Sequence, residues 1–381
     1  MGKFYEFFSG GGMARAGLGP RWNCLFANDF DPKKGVSYAK NWGADSLKID
    51  DVANLTTDDL PLKADLAWAS FPCQDLSLAG AGAGLRGERS GTFWPFWKLI
   101  KAMASENRAP RLIVLENVCG ALTAHNGKDF VAIGAALSKA HYRFGAVVID
   151  AVHFLPQSRP RLFIIGVRDD VSLPGRLLAR EAEGPWHTGA VIEAYKKLSK
   201  ASKDSWCWWK FPAPALRNAT LADIIEDNPK GVSWHTKAET KKLLGMMSTV
   251  NLAKVEAAKK SGQRIFGGVY KRTRVNEHGD KVQRAEVRFD DLAGCLRTPA
   301  GGSSRQTIII VEGNNVRSRL LSPREAARLM GLPEEYNLPD KYNEAYHLIG
   351  DGVAVPVVRF IAENVLEPIV TAGRRVKKAA A

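Results

Sequence analysis

The residues with the most chemistry in them are Phe71-Pro72-Cys73-Gln74, where a cysteine directly follows a proline at the end of an apolar run, Ala64 to Ser70, that reads as a buried strand. Proline fixes the backbone just ahead of the thiol, so the pattern presents a nucleophile. A second strand-like run ends in a glycine-rich turn, Phe8-Ser9-Gly10-Gly11-Gly12. Such a turn lets backbone N–H groups approach a ligand at the start of a helix. Asp29 stands 19 residues beyond Gly10, near the spacing at which a carboxylate meets a ribose hydroxyl. Phe30 offers a face to an adenine ring, and Asp51 and Val52, after the next short apolar run, can meet its exocyclic amine. A thiol and a nucleotide site in one sheet imply covalent group transfer.

Two more apolar runs are interrupted by polar residues. Leu112-Ile113-Val114-Leu115 leads into Glu116-Asn117-Val118, which delivers a carboxylate at a strand end, where sheets of this class hold their ligands. Gln157-Ser158-Arg159-Pro160-Arg161 precedes the strand Leu162 to Gly166. Strand alternation points Gln157, Arg159 and Arg161 to one face, so two guanidinium groups are expected to converge; one of them can pair with Glu116. The stretch Leu78 to Gly91 holds five glycines together with Arg86 and Arg89. It reads as a loop that closes over a substrate and excludes water.

These groups need elements to hold them. Strand-like runs at Tyr5–Phe8, Cys24–Asn28, Leu66–Ser70, Leu112–Glu116, Ala146–Asp150 and Leu162–Gly166 alternate with helical patterns such as Thr92–Glu106 and Asp129–Ala140. That rhythm implies an α/β fold with a mostly parallel sheet and helices on both faces. From about 171 to 316 it is lost, and proline, tryptophan and basic residues take over. We expect three segments: 1–170 as the cofactor-binding domain, 171–316 as a separate lobe with Trp206, Trp208 and Trp209 in its core, and 317–381 returning to the first domain. A helix after Arg317 is signalled by Ser322 as N-cap and Pro323 at the first helical position, ending near Gly331.

Composition narrows the partners. The chain has 381 residues, 45% hydrophobic and 25% charged, which suits a globular protein of two or three domains. No apolar stretch approaches a membrane span, and the start lacks a signal pattern, so we expect a cytoplasmic, nucleoid-associated protein with no membrane partner. The five cysteines form no C-x-x-C pair, so neither a disulfide framework nor a metal site is expected. The net charge of +14 points to a polyanion, above all nucleic acid. Residues 201–320 carry 21 Lys and Arg against 12 Asp and Glu, which makes this lobe the candidate nucleic-acid surface.

Taken in order, FFSGGGMARAGLG, ANDFD, FPCQDLS, LENV, QSRPR, LLSPREAARLMGLP and IGDGVAVPVV resemble the DNA cytosine-5 methyltransferases of bacterial or phage type. The likeness covers the first 170 residues and about 317 to 368. It implies a Rossmann-like S-adenosylmethionine-dependent methyltransferase sheet with a smaller target-recognition lobe, double-stranded DNA as partner, and methylation of cytosine C5 in a short duplex sequence. By position it implies donor binding by Phe8, Ser9, Gly10, Gly12, Asp29, Phe30, Asp51, Val52, Pro72, Asp351 and Gly352. It also implies catalysis by Cys73, which would add to C6 of a flipped-out base, with Glu116 at N3, Arg161 at the carbonyl oxygen and Arg159 beside it. Two departures stand out: Met13 replaces a further glycine of the first motif, and Asp351 replaces the usual asparagine. The expected DNA contacts are Gln74, Ser77, Arg86 and Arg89 near the nucleophile, and Arg272, Arg274, Arg297, Arg305 and Gln306 in the lobe. A monomer, with or without a cognate restriction endonuclease, fits this reading.

Other readings share parts of the pattern. An RNA cytosine-5 methyltransferase would use the same donor with Cys119, three residues past Glu116, as nucleophile. A catalytically silent DNA-binding protein would keep the scaffold and lose Cys73, Glu116 and Arg161, all of which are present. An adenine-N6 enzyme would need a D/N-P-P-Y run where Phe71 to Gln74 stand. A dehydrogenase would leave Cys73 unexplained.

Overall fold

The computed structural model describes residues 1–72, 92–275, 279–297 and 305–372. It divides into two compact units. Unit 1 comprises Met1–Asp150, Pro160–Pro214 and Val353–Ala381, and unit 2 comprises Ala151–Arg159 and Ala215–Gly352.

Unit 1 is built on β1 (Gly2–Phe7), β2 (Trp22–Asp29), β3 (Leu47–Ile49), β4 (Leu66–Ala69), β5 (Leu112–Val118), β6 (Tyr142–Asp150) and β7 (Pro160–Arg168). Among the described residues these form one sheet in the order β3-β2-β1-β4-β5-β7-β6. Neighbours from β3 to β5 pair in parallel, and β7 runs antiparallel to both β5 and β6. The apolar runs are continuous because both faces are covered. On one face Tyr5, Phe7, Ala67, Ile113 and Leu115 pack with Phe93, Phe96 and Ile100 of α3 (Phe93–Ser105) and Phe130, Ile133 and Leu137 of α4 (Lys128–Lys139). Phe4, Trp68, Leu112 and Val114, which point the other way, are equally buried. Helices α1 (Met13–Leu18) and α2 (Pro32–Trp42) belong to the same unit.

The expected boundary at residue 170 moves to about 214. The segment after β7 does not leave the sheet: Phe144 N–H donates to Ser205 O and Cys207 N–H to Phe144 O, so 205–207 lies along the exposed edge of β6. A sheet edge left open is a pairing hazard, and covering it is a common remedy. The short strands β8 (Leu178–Ala179) and β9 (Trp208–Trp209) take the same course, with α5 (Gly189–Lys196) and α6 (Lys200–Asp204). Trp209 is buried and donates its indole N–H to Ile165 O of β7, while Trp206 packs edge-on against Phe130 and Phe144. The tryptophans are therefore core, but core of the sheet unit rather than of the middle lobe.

Unit 2 contains α7 (Leu221–Ile224), α8 (Lys237–Gly245), α9 (Thr249–Lys260), β10 (Arg264–Val275), β11 (Lys281–Arg288), β12 (Thr307–Glu312), β13 (Asn315–Leu320), α10 (Pro323–Leu329) and α11 (Tyr342–Asp351). The strands form an antiparallel sheet, β11-β10-β12-β13, whose core joins Val269, Val287, Ile309 and Val311 to Leu243 and Val255 of α8 and α9. Here too a boundary moves, because 317–352 belongs to unit 2 and only α12 (Val355–Ile361), with the residues on either side of it from Val353 onward, returns to unit 1. The helix read from Ser322 and Pro323 is α10, with a full capping box in which Ser322 Oγ accepts from Glu325 N–H and Glu325 accepts from Ser322 N–H. Glu325 also takes the Arg319 guanidinium in two bonds, 2.6 and 2.8 Å, with both side chains fully buried. Arg319→Ala is expected to cost about 3–5 kcal/mol, since Glu325 would remain buried without its partner. The check is the denaturant midpoint of folding, and an unchanged midpoint would contradict it.

Candidate active site

Strand order decides which residues meet. The parallel strands β3, β2, β1, β4 and β5 all end on one edge of the sheet, and the order changes direction between β1 and β4, where open α/β sheets hold ligands. On that edge stand Asp51 after β3, Asp29 and Phe30 at the end of β2, the glycine turn after β1, Phe71-Pro72 after β4 and Glu116 near the end of β5. Because β7 runs the other way, Arg161 at its start reaches the same edge.

The glycine turn is tightly specified. Its backbone is left-handed at Phe8 (φ 57°), Gly10 (φ 54°) and Gly12 (φ 77°). Left-handed backbone is costly for phenylalanine, and it is held here by Ser9 N–H donating to Asn28 O and Gly12 N–H to Ser9 O. Asp29 is buried and accepts from Gly10 N–H at 2.8 Å and Asp31 N–H at 2.9 Å. Burial pushes its carboxyl above the ordinary range, opposed by the charge of Lys34 and these two amides. Asn28, inside ANDFD but given no role from the sequence, ties the strand ends together by donating to Lys48 O and Asp50 O. Asp51 accepts from Ala53 N–H and so caps the turn that begins at Val52. Two features are left for a ligand: Phe30 is 64% exposed beside Asp29, and Ser9 Oγ is buried with no hydrogen-bond partner among the described residues.

On the other side of the turn, Glu116 is 7% exposed and pairs with Arg161, Oε1 to Nε 3.3 Å. Next to it Asn117 is buried and donates to Phe71 O at 3.2 Å. This bond fixes the chain two residues before Cys73 and gives Asn117 a place that the sequence did not disclose. Cys73, Gln74, Ser77, Arg86 and Arg89 lie outside the described residues. Cys119 is described: burial pushes its thiol up, with Arg161 opposing and Asp150 and Glu116 adding to the rise. That environment favours thiol over thiolate.

The remaining expected site residues belong to unit 2. Arg159 is 2% exposed, and its guanidinium donates to the carbonyls of Leu296, Gly350 and Gly352 at 2.9, 2.8 and 2.6 Å. The expectation that Arg159 and Arg161 converge is thus replaced by separate partners: the carbonyls of Leu296, Gly350 and Gly352 for Arg159, and Glu116 with the carbonyl of Pro160 for Arg161. Arg159 thus holds the C-terminal end of α11, where Asp351 and Gly352 stand. Gln306 is buried, its amide donating to Val269 O and Thr307 O, a place that suits sheet packing rather than DNA reading. Arg305 bonds Asn343 and lies over the Tyr342 ring at 5.4 Å. Arg272 and Arg274 stand exposed on β10, both paired with Glu286 of β11, and Arg297 is exposed. No helix among the described residues is long and apolar enough to cross a membrane.

Comparison with known proteins places this geometry. The chain is 27% identical over 369 residues to the type II methyltransferase M.DsaV of Dactylococcopsis salina, covering 96% of this chain and 86% of that protein. It is 22% identical over 365 residues to M.HhaI of Haemophilus parahaemolyticus, covering 95% and 94%. Its fold matches a Schizosaccharomyces pombe Dnmt2 methyltransferase with a TM-score of 0.60, 17% identity and coverage of 97% and 99%. It also matches a putative DNA modification methyltransferase encoded within an Escherichia coli prophage, with a TM-score of 0.57, 16% identity and coverage of 97% and 100%. The family described as C-5 cytosine-specific DNA methylase, whose methyl donor is in general S-adenosylmethionine, matches residues 2–367. The chain belongs to that family and is a DNA (cytosine-5-)-methyltransferase.

Proposed function

We propose that the protein methylates C5 of one cytosine within a short duplex DNA sequence, after flipping that base out of the helix, through a covalent bond between Cys73 and C6. The observation that supports it is the single sheet edge shared by the glycine turn, Asp29, Phe30, Pro72 and the Glu116–Arg161 pair. The donor fits there: Ser9 Oγ and the amides of the turn are suited to its polar end, Asp29 to the ribose, Phe30 to the adenine face, and Asp51 with Val52 to the adenine amine. S-adenosylmethionine supplies an electrophilic sulfonium methyl group to the carbon made nucleophilic by the protein.

The protein's own task is to break the aromaticity of a poorly nucleophilic ring. The Cys73 thiolate forms a bond to C6, the C5–C6 π electrons move onto C5, and Glu116 donates to N3 while holding the amino group. Arg161 accompanies Glu116 and can meet the cytosine carbonyl oxygen as a planar donor. After methylation, solvent water takes the C5 proton, the released electron pair re-forms the C5–C6 π bond and expels Cys73 as a thiolate, and N3 returns its proton to Glu116. Arg159 acts by positioning, through the carbonyls around Asp351, and not on the base. Flipping costs roughly a few kcal/mol of unpairing and unstacking, which phosphate contacts from the basic unit 2 can offset. Arg272, Arg274 and Arg297, exposed in that unit, are its proposed DNA contacts, and the loop with Arg86 and Arg89 is the proposed lid.

Bisulfite mapping after incubation with S-adenosylmethionine and cytosine-unmethylated genomic DNA tests the proposal. Protection of the cytosine in one recurring short sequence is expected. Protection scattered without sequence preference, or methyl label entering RNA instead, would overturn it.

A further inference from the structure

Trp42 closes α2 and donates its indole N–H to Gly11 O, 3.0 Å away, at the centre of the glycine turn. Its ring fills the space behind the turn so closely that a Cβ added at Gly12 would overlap the indole nitrogen and come within 3.0 Å of the Tyr38 ring. Behind the indole lies a polar cluster drawn from β1, α1, α2 and the turn before β3. The Arg15 guanidinium is 5.1 Å from the Trp42 ring and 5.7 Å from the Tyr38 ring, and it donates to Tyr38 Oη at 3.0 Å and Ser46 Oγ at 3.4 Å. Arg15 N–H donates in turn to Glu6 of β1 at 3.2 Å. Glu6 is 1% exposed, and burial pushes its carboxyl up to about 8. The cluster is anchored in β1, α1 and α2, and Trp42 is the member that bonds the carbonyl of the turn itself.

We infer that Trp42 is a positioning residue for the methyl donor: its N–H bond to Gly11 holds the glycine turn in its binding shape before the donor arrives. This rests on the reading of that turn as the donor site. A turn that the ligand must order for itself binds more weakly, since the ordering is taken from the binding energy. A single neutral hydrogen bond corresponds to roughly a five-fold change in affinity. The effect should fall on donor binding and not on the chemical step, because Trp42 faces the turn from behind.

The test is calorimetric titration of S-adenosylhomocysteine into the full chain and four variants, each with a thermal melt, together with KM and kcat for S-adenosylmethionine at saturating DNA. Trp42→Phe keeps a ring and loses the donor; its Kd and the donor KM should rise roughly five-fold with kcat at saturation retained. Trp42→His keeps a ring N–H at the equivalent position and should recover much of the affinity. Tyr38→Phe removes a hydroxyl from the same cluster but no bond to the turn; it should lower the melting temperature and leave Kd unchanged. Asp29→Ala tests the site itself and should weaken binding. Wild-type affinity in Trp42→Phe while Asp29→Ala binds weakly would overturn the inference and leave the donor site standing. Equal weakening by Tyr38→Phe would also overturn it, as general loosening. Undiminished binding by Asp29→Ala would overturn the donor-site reading on which it rests.

Discussion

Cys73→Ser is expected to lose methyl transfer by a factor on the order of 10⁴ or more, as enzymes do when their nucleophile is removed. A serine hydroxyl at neutral pH has neither the ionised fraction nor the soft lone pair needed to add to C6. The same variant should form no covalent complex with a duplex carrying 5-fluorocytosine at the methylated position. There the fluorine replaces the proton that must leave before the cysteine can depart, so the wild-type adduct accumulates. Binding to DNA should persist in the variant, because phosphate contacts elsewhere carry most of that affinity. Gel retardation and a methyl-transfer assay on the same preparation separate the two effects. Retained turnover in Cys73→Ser would exclude Cys73 as the nucleophile.

Glu116→Gln should have the second largest effect. The amide keeps the size and one donor of the carboxyl but cannot deliver a proton to N3, and general acid catalysis by a placed side chain is worth roughly 10²–10⁴-fold. Methyl transfer is therefore expected to fall by that factor while donor affinity stays near the wild-type value, since Glu116 stands across the turn from Asp29. Glu116 also holds Arg161 at 3.3 Å, so Glu116→Ala should be worse still: it removes the acid and leaves a half-buried guanidinium without this partner. Single-turnover rates for the two variants would check the order, and a Gln variant as fast as wild type would exclude Glu116 from proton transfer.

The sheet was legible because its strands are buried on both faces and so write themselves as unbroken apolar runs. Every run named from the sequence between Tyr5 and Gly166 is a strand, and the Ser322-Pro323 signal marks the start of α10. The ends of those runs were legible for the same reason, since Asp29 and Glu116 interrupt apolar strands where the sheet offers its binding edge. Hidden from the sequence were consequences of distant contacts. Residues 171–214 lose the sheet's rhythm because β8 and β9 are two residues each, α5 and α6 are only eight and five residues long, and 205–207 tracks the β6 edge. Alternation placed Arg159 and Arg161 on one face, yet alternation holds only inside a strand, and Arg159 lies before β7 begins at Pro160. Gln306 reads as a DNA contact because its amide suits an adenine edge or a phosphate, whereas carbonyls of Val269 and Thr307 claim that amide. Trp42 gave no signal, and Asn117 stood inside LENV without disclosing its role, since an indole or an amide that bonds a backbone carbonyl has no spacing rule.

The most direct test of the mechanism is to digest the complex trapped on 5-fluorocytosine duplex and locate the modified peptide by mass spectrometry. Nucleotide is expected on the peptide containing Cys73, in a digest where Cys119 is unmodified. Attachment to Cys119, whose buried thiol is pushed up, would contradict the covalent role of Cys73 and transfer it to the strand end beside Glu116.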